Sequence, residues 1–390
     1  MAQIKIDIAE RLKNLPPYLF AELDRLKKEA LSRGKDLVDF GVGDPDTPTP
    51  EHIIERLYET AKDPTTHKYA TSFGLGELRE AMAKWYKERF DVDLDPENEI
   101  LPLIGSKEGI SHIPLAFLDK GDVALVPDPC YPPYKSGTIL ADGVPYLMPL
   151  LKENNFLPLF EDIDFQVAKR AKLMFLNYPN NPTSATAEKA FFEEAIKFAC
   201  DNDIIICHDA AYSEIAFDGY RPVSFLEVEG AKEVGIEFHS LSKTYNMTGW
   251  RIGFALGNKD IIKSLAQVKS HIDSGIFRAV QFASIVALSS IDHLTELLNV
   301  YKERRDCLVD GLNSLGWEVE RPKATFYVWA QVPPGYTSME LSKTLLDKCG
   351  VVTTPGVGFG SNGEGFIRFA LTVAVERIEE AIERIKELHG

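Results

Sequence analysis

A lysine flanked by hydroxyl groups and followed by an arginine is the clearest chemical signal in this chain. Lys243 lies beside Ser240 and Ser242, and Arg251 follows eight residues after the lysine. Two hydroxyls and a guanidinium suit a phosphate, whereas a single lysine amine suits an imine with an aldehyde. Pyridoxal 5'-phosphate (PLP) carries both groups, so the segment predicts a PLP site with Lys243 as the Schiff-base lysine. The alternative is a solvated loop with an isolated lysine.

An acidic residue at the end of an apolar run is the predicted partner of the cofactor's ring nitrogen. Asp209 closes the run at residues 204–209, and open α/β sheets bind ligands where their strands end. A carboxylate there would keep the pyridine nitrogen protonated. Lys243, once its amine is released by substrate, could move the substrate proton. For Asp209 taken alone, a helix cap or an ordinary strand end explains the residue equally well.

Three further side chains are predicted to hold the cofactor ring. Tyr212 follows Asp209 by three residues, and Asn181 lies in the run Asn-Asn-Pro-Thr; both could hydrogen-bond the ring oxygen. Tyr131 follows another strand-like run and could cover one face of the pyridine. The alternatives are a simple turn for Asn181 and a packed core tyrosine for Tyr131.

A second phosphate-binding segment lies at residues 104–109, where a strand leads into a helix. Backbone N–H groups at a helix N-terminus, with the side chains of Ser106 and Lys107, bind a dianion well. The serines and the arginine of the lysine segment could close this cup from the other side. The spacing is not that of a Walker A motif.

One arginine is predicted to bind substrate. Arg368 lies inside the otherwise apolar run at 365–370, and an arginine is rarely buried without a partner. Its planar guanidinium could face the α-carboxylate of an amino acid. An internal salt bridge is the competing explanation. No residue pattern predicts a metal site, and the scattered histidines do not have metal-ligand spacing.

Composition narrows the class of protein. The chain has 390 residues, is 45% hydrophobic, and has 43 Lys and Arg against 59 Asp and Glu, for a net charge of −16. Such a charge argues against nucleic acid or an anionic membrane as partner. Five cysteines without paired spacing fit a reducing compartment, and no apolar leader or 18-residue apolar run occurs. We therefore expect a soluble, cytoplasmic protein.

The apolar pattern predicts two domains. Short apolar runs alternate with helical segments through the middle of the chain, which is typical of an α/β sheet buried on both faces. After about residue 258, three helical segments and then mixed elements predict a smaller α+β domain. We place the large domain at 45–285 and the small one at 1–44 and 286–390. The strands are predicted at 36–40, 100–104, 123–126, 173–177, 204–208, 236–240, 252–256, 317–320 and 324–332.

Taken together, these residues resemble the class I/II aminotransferases of fold type I, which depend on PLP. The resemblance rests on the ordered set Tyr69, Gly105, Ser106, Lys107, Tyr131, Asn181, Asp209, Tyr212, Ser240, Ser242, Lys243, Arg251 and Arg368. It implies a large mixed, mostly parallel sheet domain, a smaller α+β domain and a homodimer with shared active sites. Tyr69 would reach the partner's phosphate, and Tyr18 and Gly43 would lie near substrate, as would Lys107, Tyr131 and Asn181.

Several segments narrow the resemblance to one subgroup. Residues 16–20, 41–46, 105–110, 177–183, 208–213 and 241–251 resemble the members that act on diaminopimelate, although Ser184 stands where the family usually has glycine. The resemblance implies exchange of an amino group between LL-2,6-diaminopimelate, or tetrahydrodipicolinate, and 2-oxoglutarate or glutamate in lysine biosynthesis. Three alternatives stay open: a broad aspartate, alanine or aromatic aminotransferase, a PLP-dependent C–S β-lyase, and a PLP-binding sensor without catalysis.

Overall fold

A computed structural model of the chain describes residues 4, 6–16, 19–290 and 292–388. Its strands are β1 (Val38–Asp39), β2 (Ile100–Leu103), β3 (Val123–Asp128), β4 (Val144–Pro149), β5 (Ala171–Asn177), β6 (Ile205–Asp209), β7 (Gly235–Ser240), β8 (Gly253–Gly257), β9 (Tyr327–Gln331), β10 (Val351–Val352), β11 (Thr354–Pro355) and β12 (Phe366–Ala370).

The α-helices precede, separate and follow these strands along the chain. They are Glu10–Lys13, Leu19–Ser32, Glu51–Ala61, Gly76–Phe90, Ser106–Phe117, Pro133–Leu140, Phe165–Ala168, Lys189–Asn202, Ala231–Val234, Leu241–Thr244, Lys259–Ile272, Arg278–Leu288, Asp292–Ser314, Ser338–Thr344 and Val375–Lys386. In the part of the chain described, no helix is long and apolar enough to cross a membrane.

The main sheet positions the polar residues that end its strands. Its seven strands run in the order β2-β8-β7-β6-β5-β3-β4, and β8 is antiparallel to both of its neighbours while the remaining pairs are parallel. Asn177 pairs with Asp209, and Asp209 pairs with Phe238 on the next strand. Since parallel strands end at the same edge, Asn177, Asp209 and Ser240 lie side by side there. The predicted α/β class and the mixed, mostly parallel sheet are confirmed.

A second, smaller group of strands covers this edge from one side. Strands β11, β12 and β9 form an antiparallel sheet, and β1 pairs with β10. Their apolar side chains pack with the long helices Asp292–Ser314 and Val375–Lys386 in a core separate from the cores of the main sheet. Because β1 joins this group, the residues that follow it, from Gly41 onward, are brought to the edge of the main sheet.

Two strand predictions differ from the structure. The run 317–320 is not a strand, because the side chain of Asn313 takes the place of a neighbouring strand: its Oδ1 accepts from Val319 N at 2.9 Å and its Nδ2 donates to Val319 O at 3.1 Å. Strand β4, which was not predicted, lies at the edge of the main sheet and is largely half-exposed. Edge strands tolerate prolines such as Pro145, which obscured the apolar pattern.

Candidate active site

A cavity of about 370 Å³ lies where the strands of the main sheet end, between that sheet and the smaller group of strands. Its wall contains almost every residue predicted for the site. The lining residues are Val42, Gly43, Asp44, Ser106, Lys107, Tyr131, Asn177, Asn181, Asp209, Ala211, Tyr212, Ser240, Ser242, Lys243, Thr248, Arg251, Tyr327, Phe359 and Arg368.

Three residues of the predicted set are not in this wall. Gly105 directly precedes the lining residue Ser106. The side chain of Tyr69 is 86% exposed and its carbonyl accepts a hydrogen bond from Arg278 at 3.1 Å. Tyr18 falls outside the described residues.

The reactive lysine is positioned by a short helix that follows β7. Ser240 caps that helix, accepting from Ser242 N at 3.2 Å, and this turn directs Lys243 into the cavity. The Nζ atom of Lys243 donates to the carbonyl of Gly43 at 2.8 Å. Burial, reinforced by the charges of Arg368 and Arg251 and opposed by Asp44, lowers the pKa of Lys243 to about 8. A fraction of the amine is therefore uncharged near neutral pH, as nucleophilic attack on an aldehyde requires.

This lowered pKa gives an expected pH dependence for the cofactor-free protein. Only the uncharged amine reacts with acetic anhydride, so competitive acetylation of Lys243 should rise with pH and reach half its maximum near pH 8. A solvent-exposed lysine would reach that point near pH ~10.4. Mass spectrometry of the labelled peptides measures the acetylation of Lys243 and of the exposed lysines in one sample. Half-maximal labelling of Lys243 at the pH of the exposed lysines would contradict the assigned environment.

The carboxylate of Asp209 is buried with one oxygen satisfied and one free. Oδ2 accepts from the hydroxyl of Tyr134 at 2.7 Å, while Oδ1 has no hydrogen-bond partner among the described residues. Asn177 Nδ2 donates to the carbonyl of Asp209 at 2.7 Å and so fixes its backbone. Burial raises the pKa of Asp209, against the lowering effect of the Tyr134 hydrogen bond. An unpaired buried acceptor in a cavity wall fits the protonated nitrogen of a pyridine ring.

Phenol and amide groups lie on the neighbouring wall. The hydroxyls of Tyr212 and Tyr327 are 3.0 Å apart, and burial raises the pKa of Tyr212, which therefore keeps its proton. Asn181 uses its Oδ1 to accept from Arg368, and its backbone N–H donates to Asn177. Among the residues described, the hydrogen bonds of Asn181 use its Oδ1 and its backbone N–H and leave its Nδ2 donors available. The cavity therefore offers a ring oxygen both a phenol and an amide.

Arg368 is buried without an acidic partner among the described residues, so the competing explanation, an internal salt bridge, finds no support there. Its guanidinium donates to Asn181 Oδ1 at 2.7 Å and to the carbonyl of Gly41 at 3.1 Å. It also lies over the rings of Tyr327 at 4.2 Å and Phe359 at 4.7 Å. Its Nε is buried and has no hydrogen-bond partner in the part of the chain that the structure describes. A buried cation with an unused donor suits an incoming carboxylate.

The predicted phosphate-binding segment, residues 104–109, forms a turn against which the side chain of an arginine packs. Gly105 has φ 77° and precedes the helix Ser106–Phe117, which presents its first N–H groups to the cavity. A Cβ atom at Gly105 would lie 2.9 Å from Cζ of Arg251, so only glycine lets the guanidinium pack against the turn. Arg251 is itself held in position by donating to the carbonyl of Thr248 at 2.9 Å. The residues present therefore fit a dianionic phosphate group.

Gly43 gives a second prediction, because its backbone touches Tyr327. A Cβ atom there would lie 2.8 Å from both Cε1 and Cζ of Tyr327 and closer still to its hydroxyl. We expect Gly43→Ala to displace Tyr327 or the 41–44 segment, at a cost of about 1–3 kcal/mol, and to lower kcat/KM about tenfold or more. Steady-state kinetics and thermal unfolding measure these effects. Gly76→Ala is the matched control and should be neutral, because no atom of the described residues lies within 4 Å of the added Cβ.

Residues that sequence reasoning missed complete the wall or support it. Tyr134 contacts Asp209 and follows Tyr131 by three residues, a helical spacing that could have suggested a shared environment. The role of Tyr327 could not be predicted from neighbouring residues. It lies in the apolar strand β9, where a tyrosine is expected to be an ordinary core residue. Asn177 ends β5 as Asp209 ends β6, and that parallel could have identified it.

Comparison with protein families matches residues 35–385 to a model described as aminotransferase class I and II. A curated relative from Syntrophobacter fumaroxidans, named LL-diaminopimelate aminotransferase, is 58% identical over 381 residues, 97% of this chain and 98% of that protein. A protein of the same name from Moorella thermoacetica is 56% identical over 98% of each chain.

Solved structures of other proteins are similar to this chain over nearly its whole length. Substrate-bound BacF from Bacillus subtilis superposes with a TM-score of 0.94 at 42% identity, covering 99% of this chain and 98% of that one. An aspartate aminotransferase double mutant from Thermus thermophilus gives a TM-score of 0.92 at 29% identity, covering 98% of this chain and 100% of the other.

Proposed function

Because this chain belongs to the class I and II aminotransferases, a PLP-dependent family, we propose that it acts on LL-2,6-diaminopimelate. The reaction would exchange an amino group between that compound, or tetrahydrodipicolinate, and 2-oxoglutarate or glutamate, in lysine biosynthesis. The relatives that exceed 50% identity and are named LL-diaminopimelate aminotransferase support this choice of substrate. One observation supports this chemistry: the cavity contains both a lysine of lowered pKa, Lys243, and a buried oxygen of Asp209 that has no partner among the described residues.

The cavity residues would divide the work of holding the cofactor. Asp209 would keep the ring nitrogen protonated, Tyr131 would cover the ring, and Asn181 and Tyr212 would bind the ring oxygen. The phosphate would lie among the groups that surround the helix N-terminus, namely Ser106, Lys107, Ser240, Ser242 and Arg251, with Tyr69 supplied by a partner subunit. When bound, PLP supplies an aldehyde and an aromatic ring that withdraws electrons from the substrate's Cα.

The protein's own groups would position substrate and move its proton. Arg368 would bind the α-carboxylate through its unused Nε and so orient the Cα–H bond. Lys243, freed by the substrate amine, would take that proton from Cα and return it at the carbon that carried the cofactor's aldehyde. Gly43, Lys107, Tyr131, Asn181 and Tyr18 would surround the rest of the substrate. Among them, Lys107 is a cation suited to a second carboxylate.

We also propose a homodimer in which each subunit completes the other's site. The support is a set of exposed apolar side chains on the segment that carries Tyr69 and at residues 272–277: Tyr69, Phe73, Ile272 and Phe277, each about half exposed or more. Exposed aromatic residues of this kind are typical of interfaces. A cytoplasmic location is proposed from the five free cysteines, which fit a reducing compartment.

The division of the chain at residues 44/45 and 285/286 stays a proposal. It is supported by the separate core of the smaller strand group, although Tyr212, Ile215 and Phe217 of the middle segment also pack into that core.

An amino-donor screen tests the proposed function. Purified protein should be yellow, should lose that colour with LL-diaminopimelate and should regain it with 2-oxoglutarate. Glutamate should form rapidly from LL-diaminopimelate and slowly from aspartate, alanine or aromatic amino acids. Rapid turnover of those donors would favour the broad aminotransferase, and release of pyruvate and ammonia from cystathionine would favour the C–S β-lyase.

A further inference from the structure

Tyr134 lies behind the cavity wall, where it contacts two residues assigned to the cofactor ring. We propose that Tyr134 is a positioning residue that fixes the Asp209 carboxylate, so that its free oxygen meets the ring nitrogen of the cofactor. This inference rests on the proposed function, because it requires a pyridine ring in the cavity. It adds a residue of the helix Pro133–Leu140 to the machinery.

The geometry leaves the phenol little freedom. Tyr134 is fully buried, and its hydroxyl donates to Asp209 Oδ2 at 2.7 Å. Its ring stacks on Phe175, with centroids 5.2 Å apart and an interplanar angle of 14°. Its ring also contacts the ring of Tyr131, the residue predicted to cover the cofactor ring. The two centroids are 5.8 Å apart and the interplanar angle is 80°. One rigid side chain therefore contacts both the predicted stacking partner and the predicted ionic partner of the cofactor ring.

The hydrogen bond also decides which oxygen of Asp209 is available. A carboxylate can turn about its last bond, and two unsatisfied oxygens would exchange places freely. With Oδ2 held by Tyr134, Oδ1 is the oxygen to which no described residue donates a hydrogen bond. The position of the acceptor is thus set before the cofactor arrives, and preorganised acceptors of this kind bind without further loss of rotational freedom.

The same contact favours the charged form of Asp209. Burial raises the pKa of Asp209, and the hydrogen bond from Tyr134 lowers it. Tyr134 cannot release its own proton readily, because burial and the nearby Asp209 raise its pKa well above the ordinary value. Tyr134 therefore remains a donor throughout the working pH range. Without it, the buried carboxyl would gain a proton more easily and would hold the ring nitrogen's proton less firmly.

Tyr134→Phe tests this role, because it removes one oxygen and keeps the packed ring. We expect kcat to fall about 10- to 100-fold, the range for a hydrogen bond to a charged group, and KM for the amino donor to change less than about threefold. The second readout is independent of turnover. The ¹⁵N NMR signal of ring-labelled PLP bound to the variant should move from the protonated toward the unprotonated position.

Tyr178→Phe is the matched control. Tyr178 is another buried tyrosine at the end of β5, and its hydroxyl donates to the carbonyl of Phe156 at 2.9 Å, away from Asp209. Its loss should leave the ¹⁵N signal in place. A Tyr134→Phe enzyme with the wild-type ¹⁵N signal and wild-type kcat would overturn the inference. Wild-type protein that fails to bind PLP would instead overturn the proposed function.

If Tyr134→Phe does not fold, a measurement that keeps the phenol of Tyr134 in place still tests the inference. A 3-fluorotyrosine placed at position 134 reports its surroundings through ¹⁹F NMR, and its signal should shift when PLP is added to the cofactor-free protein. The same label at position 178 should shift little. Equal shifts at both positions, or none at 134, would contradict a contact between Tyr134 and the cofactor's ionic partner.

Discussion

Replacing Lys243 with alanine should abolish the yellow colour of the protein and lower kcat by about 10⁴-fold or more, the upper range for loss of a group that transfers protons. The physical reason is that one amine has two tasks. It captures the aldehyde because burial lowers its pKa to about 8, and once released it moves the substrate proton. Its Nζ is positioned for both tasks by the helix at Leu241–Thr244 and by the carbonyl of Gly43.

The variant should fold, because it removes a partly buried charge rather than a packing contact. Circular dichroism and thermal unfolding measure this directly. Lys120→Ala, at an exposed position, is the control and should keep colour and turnover. Small primary amines added to Lys243→Ala should restore a measurable part of the activity by transferring the proton in place of the side chain. A yellow Lys243→Ala enzyme with normal turnover would contradict the assignment.

Asp209→Asn should lower kcat by about 10²- to 10⁴-fold, with much less effect on covalent capture of PLP. The amide has the shape of the carboxylate but no charge, so the ring nitrogen would lose the anion that keeps it protonated. Capture depends on Lys243, whose environment includes Asp44, Arg251 and Arg368 but not Asp209 among its largest influences. Colour should therefore persist while turnover fails, which separates the two functions in one variant.

The comparison with two other substitutions sharpens this test. Asp209→Glu keeps the charge but displaces it, so it should retain more activity than the amide while losing the fitted contact with Tyr134. Asp201→Asn removes a carboxylate from an exposed position of the helix Lys189–Asn202 and should have no effect. Stopped-flow absorbance gives the rate of capture and steady-state assays give kcat. Normal turnover by Asp209→Asn would show that another group serves as the ring nitrogen's partner.

Local sequence was sufficient for the parts of the site that lie within single segments. In each of these segments, a reactive or binding residue lies next to a turn or a strand end. The segments are the serine–lysine–arginine run, the glycine before the Ser106 helix and the acid that ends β6. Their backbone positions follow from short-range rules about strand ends and helix N-termini. For the same reason, the strands at the centre of the main sheet were predicted well, while edge strand β4 was not.

Sequence determined the residue types, their order and the chemistry that they can support, because these depend on neighbours within a few positions. Tertiary packing alone decided which distant residues meet. Tyr134 and Asp209 are 75 residues apart, Tyr212 and Tyr327 are 115 apart, and Gly43 and Lys243 are 200 apart. No local pattern encodes such pairs, since each depends on how a helix or strand packs after the whole chain has folded. That packing brings the phenol of Tyr134 to Oδ2 of Asp209 and leaves Oδ1 as the oxygen that has no partner among the described residues.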